Sequence, residues 1–113
     1  MRERPALLLI AAALAACSSQ SDRQLQAVKS ARSVIAEWSL VEEQAAKGRA
    51  QPVYVEQMRE LAKDQLTTQR SELVQKPDAA GLLDKLRTGS PNAATLKAAG
   101  SALKPLEKQL EVS

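Results

Sequence analysis

The chain has 113 residues, a formal net charge of +3, no His and one Cys, a length that holds one small domain. The missing His and the single thiol exclude Ser-His-Asp and Cys-His nucleophiles, zinc sites built on His or thiolate, the Glu-x-x-His pair of di-iron bundles and any disulfide within the chain. Its four glycines are scattered and form no phosphate-cradling loop.

The chain opens Met1-Arg2-Glu3-Arg4, runs through an apolar stretch from Ala6 to Ala16, and ends that stretch on small residues. A charged start, a short apolar run and small residues describe a secretory signal peptide. The apolar run reaches about 16 Å as a helix at ~1.5 Å per residue, roughly half of a ~30 Å hydrocarbon core, so a spanning helix is a poor reading. Ala15 and Ala16 also suit cleavage of a plain export signal. The lone Cys, directly after them at Cys17, favours a different processing.

Leu14-Ala15-Ala16-Cys17 resembles the lipobox of bacterial lipoproteins. That resemblance implies a diacylglycerol on the Cys17 thiol, cleavage between Ala16 and Cys17, and acylation of the new amine. Two or more chains on one residue give stable anchoring, because each buried methylene contributes about 0.8 kcal/mol. Asp after the Cys tends to retain such proteins at the inner membrane. Here the residue is Ser18, so the resemblance implies the periplasmic face of the outer membrane, or the outer leaflet in a single-membrane cell. The covalent lipid is the only attached group expected; no cofactor and no metal are.

The expected organisation is a signal peptide over 1–16, the lipidated Cys and a tether over 17–21, and a helical domain over 22–113. Taking residues 1–16 from 113 leaves 97, and removing Arg2, Glu3 and Arg4 leaves a formal net charge of +2. No Lys/Arg block stands out, so a nucleic-acid partner is not expected. Val, Leu, Ile, Met, Trp and Tyr supply only 23 of the 97, which predicts a thin core and marginal stability.

Ser18, Ser19 and Gln20 reach about 10 Å when extended. Ser21, with Gln24 three residues on, predicts a capping box opening a helix over about 22–47, closed by Gly48 in a left-handed turn. At 100° per residue, Ala27, Ala31, Val34, Ile35, Trp38, Val41 and Ala45 share one side. Glu43 and Lys47, four apart, predict a surface pair. Pro52 opens a second helix over about 52–75, with Val55, Met58, Ala62, Leu66 and Leu73 on its apolar face. Pro77 disfavours helical geometry at Lys76 and ends it. Asp78 then caps a short helix over 79–87 that buries Leu82, Leu83 and Leu86.

Gly89-Ser90-Pro91 reads as turn, cap and first-turn Pro, opening a last helix over 91–111. Leu96, Ala99, Leu103, Leu106 and Leu110 form a narrow seam along it. Pro105 conflicts with that helix, yet the leucine phase is unchanged across it. The reading is a kink near Pro105; the alternative is a break near Gly100 or Ser101 with restart at Pro105. The fold class is therefore all-α, a small antiparallel helical hairpin or bundle of three to four helices after a cleaved signal peptide.

Glu56, Glu60 and Asp64 line one face at four-residue spacing, which suits a cation or a basic partner. Lying opposite the apolar stripe beside Arg59 and Lys63, they read better as a solvated face. Glu42 and Glu43 diverge by about 100° and make a poor acid–base pair, although Glu42 borders the apolar stripe. No catalytic residue is expected. Trp38, mid-stripe, reads as core; Tyr54, on the rim, reads either way. Gln65 and Gln69 intrude on the second helix's apolar face, so they either hydrogen-bond across helices or mark where another protein covers the stripe.

The part after Cys17 is similar to small helical envelope lipoproteins of proteobacteria, which implies no activity. The major murein lipoprotein resembles it in size and helicity. That family has sustained heptads and a C-terminal Lys joined to peptidoglycan, whereas this sequence is broken by prolines and closes on Glu111-Val112-Ser113, so a covalent wall link is not expected. The function expected is a non-enzymatic, lipid-anchored adaptor or accessory subunit with an envelope protein as partner. An inhibitor or exclusion-type lipoprotein is the alternative.

Overall fold

The computed structural model describes residues 19–112, and among them every regular element is a helix. In chain order these are α1 (Gln20–Ala46), α2 (Pro52–Glu72), α3 (Pro77–Thr88), α4 (Ala93–Ala102) and α5 (Lys104–Glu111). The fold is a small all-α bundle. Ala16, Cys17 and Ser18, on which the cleavage, lipidation and sorting readings fall, lie outside the described residues.

Helix α1 is the axis of the bundle: α2 packs along it, and so do α4 and α5, while α3 packs on α2. Its buried side chains follow the expected stripe from Ala27 to Val41, and Val28 is fully buried beside them. Being covered from two directions widens the buried arc beyond a single stripe. Gln24 and Ser39 fall inside that arc. The Ser39 hydroxyl is satisfied locally, donating to the Ala36 carbonyl at 2.7 Å. Ile35, Trp38, Leu66, Leu73, Leu83, Leu96 and Leu103 fill one continuous core. Each such large side chain contributes about 1.5–3 kcal/mol by leaving water.

The helix ends differ from expectation where two polar residues compete for one cap. Ser19, not Ser21, opens α1: its Oγ accepts from the Asp22 amide at 3.1 Å. This choice lengthens the helix by two residues and makes Asp22 the third residue of its first turn, at the positive end of the helix dipole. The Ser21–Gln24 box does not form, and Gln24 is buried instead. The other end of α1 closes as expected. Gly48 has φ 68°, its amide donates to the Ala45 carbonyl at 3.0 Å, and the Arg49 amide donates to Gln44 at 2.9 Å. These are the two bonds of a Schellman turn.

Helix α2 begins on Pro52 but stops at Glu72, short of Gln75. The fully buried Leu73 leaves helical geometry, and the Lys76 amide closes a turn onto its carbonyl at 2.9 Å. Pro77 itself is the first residue of α3, so Asp78 is a first-turn acid and not the cap. A Pro at that position sacrifices no helical bond, while Lys76, at φ −118° and ψ 80°, stays out of the helical region that the following Pro disfavours. Of the three leucines expected inside α3, Leu83 and Leu86 are buried and Leu82 only partly so. Helix α4 is capped by Asn92 and not by Ser90; the Asn92 Oδ1 accepts from the Thr95 amide at 2.8 Å.

The conflict at Pro105 is resolved at a single residue. Helices α4 and α5 meet at Leu103, whose backbone (φ −83°, ψ −14°) stays in the right-handed helical region. The Leu103 amide still reaches Ala99 at 3.3 Å, and Glu107 donates to Leu103 at 3.0 Å. Pro105 falls in the first turn of α5, where an amide is not needed. The seam keeps its phase, with Leu96, Ala99, Leu103 and Leu110 buried. The break is therefore later than Gly100 or Ser101, and the two segments lie on α1 almost as one bent helix.

Candidate interaction surface

Helix α2 enters the bundle on Val55, which is buried. That phase turns the two preceding residues outward: Val53 is 68% exposed and Tyr54 50% exposed. Across from them, at the far end of α1, Leu40 is 57% exposed on the side away from Ile35 and Trp38. Leu40 and Tyr54 line one open groove of about 480 Å³, bordered by Gln44 of α1 and by Arg49 and Gln51 from the connecting turn. An aromatic and an aliphatic side chain with polar groups around them is the composition of a small protein-binding patch.

Gln65 and Gln69 lie elsewhere, roughly 17 Å or more along α2 from Tyr54 at ~1.5 Å per residue. They line a polar groove between α1 and α2 together with Lys29, Ser33 and Glu37. Gln65 is exposed, so it does not intrude on the core as the periodicity suggested; the arc covered by α1 stops short of it. Gln69 is half-buried, and its Oε1 is buried without a hydrogen-bond partner. Tyr54 and the two glutamines are thus not one site.

Trp38 is withdrawn from any surface role, being 2% exposed. Its indole Nε1 donates to Glu42 Oε2 at 2.8 Å. The same carboxylate accepts from Arg59 Nε at 2.7 Å and, through Oε1, from Arg59 Nη2 at 2.8 Å. The Arg59 hydrogen bonds hold the Glu42 carboxyl below its usual range, against the opposing effect of burial, and Trp38 adds to them. In return Glu42 raises the Arg59 guanidinium. Glu42 stands at the stripe's edge in the sequence, and the one local signal of this cluster is its place four residues after Trp38; nothing local points to Arg59.

Other polar clamps join the remaining helices. Glu43 pairs with Lys97 on α4 instead of forming the expected pair with Lys47. The Lys97 hydrogen bond lowers its pKa, with the Lys97 charge second and that of Lys47 a smaller contribution. Arg32 on α1 donates to Glu107 on α5 at 2.8 Å. Asp84 on α3 accepts from Arg70 on α2 and from Arg87. Glu56, Glu60 and Asp64 are exposed, and Glu56 lies 3.7 Å from Arg59. Among the described residues no group of three His, Cys, Asp or Glu is placed to hold a metal ion, and no helix is long and apolar enough to cross a membrane.

No family model, no curated protein and no solved structure matches the chain.

Proposed function

We propose that this protein is a non-enzymatic, lipid-anchored helical adaptor of the bacterial envelope, held through Cys17 and recruiting another envelope protein at the opposite end of the bundle. The Leu14–Cys17 stretch, with Ser18 following it, supports anchoring at the periplasmic face of the outer membrane. The observation that carries the adaptor reading is the separation of the two ends. The chain runs toward Cys17 from Gln20, which is hydrogen-bonded to Gln75. Leu40 sits about 30 Å further along α1, at ~1.5 Å per residue, and Tyr54 at the start of α2 shares its groove. An anchor at one end and exposed apolar side chains at the other describe a module that presents a docking face away from a membrane.

Each part of the proposal has its own test. Growth on labelled palmitate is expected to label the protein at Cys17, and osmotic shock is expected to leave it membrane-bound; an unlabelled, released protein refutes the anchor. A photo-crosslinking residue at position 54 is expected to trap one envelope protein that the same group at position 60 does not, with Leu40→Lys abolishing the adduct. Identical adducts from both positions refute the docking face. Turnover of an envelope substrate that is lost on changing Glu56 or Glu60 refutes the non-enzymatic reading.

A further inference from the structure

Because α3 packs on α2 while α4 and α5 pack on α1, the first turns of α3 and the α4–α5 joint leave an open groove of about 460 Å³ between them. Pro77, Ala79 and Leu82 form one wall; Ala102, Pro105 and Leu106 form the other. Leu82 and Leu106 are only partly buried against the core, so each keeps apolar surface available to the groove. Charge is confined to Lys76 and Asp78 at its end.

The groove lies where the chain departs toward Cys17. Lys76 directly follows Gln75, whose Oε1 accepts from Gln20 Nε2 at 2.6 Å. From Gln20 back to Cys17 the chain spans about 10 Å when extended. A long hydrocarbon chain on Cys17 therefore starts within a short tether of a groove whose walls are mostly apolar, with Gln109 the polar group beside Leu106. We infer that the groove between α3 and α5 shelters one acyl chain of the lipid carried on Cys17 whenever the protein is out of the bilayer. The inference rests on the acylation proposed above. It explains why Leu82 and Leu106 stay short of full burial: the occupant completes their cover, and each methylene it brings out of water favours the docked form.

The test feeds cells a palmitate bearing a diazirine, purifies the processed, acylated protein free of detergent, irradiates it and maps the photoproducts by mass spectrometry. Photoproducts are expected on the peptides containing Leu82 and Leu106. Leu82→Lys and Ala102→Trp, one adding charge and one filling the groove, are each expected to reduce them about tenfold, as loss of a leucine-sized apolar contact does. Leu40→Lys is expected to change nothing. Label on Cys17 with photoproducts only outside the groove overturns the inference and leaves acylation standing. Groove photoproducts that persist in Cys17→Ser overturn it too, because the occupant is then a membrane lipid. A protein that takes up no label overturns the acylation and this inference together.

Discussion

Glu42 and Arg59 face each other across the α1–α2 interface with two parallel hydrogen bonds, at 2.7 and 2.8 Å. The Glu42 side chain is 10% exposed and that of Arg59 39%, so the carboxylate is the member that burial makes demanding. Glu42→Ala leaves the Trp38 indole N–H and the Arg59 guanidinium without their acceptor, and is expected to cost about 1–3 kcal/mol. Arg59→Met strands the largely buried Glu42 carboxylate with only the Trp38 N–H, and is expected to cost a similar amount, about 1–3 kcal/mol. Urea unfolding of both single variants and the double variant checks this. Additive losses would show that the two side chains do not act as a pair.

The same carboxylate predicts a direction for acid unfolding. Its folded pKa lies below the ordinary glutamate value because of Arg59. The stabilisation is therefore fully present above the unfolded value of about 4.3 and is lost as pH falls through the folded one. Glu43, lowered by Lys97, acts in the same sense. So does Asp84, where burial pushes upward but the Arg87 hydrogen bond and the Arg70 charge outweigh it. The urea midpoint is expected to be flat from neutral pH to about 5 and to drop below about 4. In Glu42→Gln the drop is expected to be shallower; a profile identical to wild type would remove Glu42 from the account.

Most of the core was legible from the chain because helical periodicity is a local property. Ala27, Ala31, Ile35 and Trp38, and the seam from Leu96 to Leu110, recur at intervals that only one helix face satisfies. The caps were less legible. Ser19 and Ser21 are chemically equal, and only the folded backbone shows that Ser19 is the one whose hydroxyl meets a free amide, that of Asp22. Least legible were the clamps. Lys47 and Lys97 are both lysines within reach of some glutamate, but only packing of α4 against α1 brings Lys97 to Glu43. The candidate docking groove was half visible: Tyr54 stood out as an aromatic on a rim, while its partner Leu40 lies off the apolar stripe and has no local signal of its own.

Competing caps make a sharp comparison. Ser19→Ala and Asn92→Ala each remove the acceptor of a helix-opening amide, at Asp22 and Thr95. Each is expected to cost about 1 kcal/mol. Ser21→Ala and Ser90→Ala, at the positions the sequence pattern alone would choose, are expected to stay within about 0.5 kcal/mol of wild type. Thermal or urea unfolding of the four variants decides between the assignments. A larger loss from Ser21→Ala than from Ser19→Ala would move the start of α1 by two residues.

Two glycines should respond to alanine in opposite directions. Gly100 is inside α4, and a Cβ there would rest 3.7 Å from Ile35 Cγ2, an ordinary contact. Gly100→Ala therefore meets no clash and removes backbone freedom from the unfolded chain, so it is expected to stabilise by about 0.5–1 kcal/mol. A Cβ on Gly48 meets nothing within 4 Å either. Space is not its constraint; the backbone is, with φ 68° in the Schellman turn between α1 and α2. Holding an L-residue there costs roughly 1–2 kcal/mol, so Gly48→Ala is expected to destabilise by about that amount, and Gly48→Asn by less. Equal effects at the two sites would mean that the left-handed turn is not what closes α1.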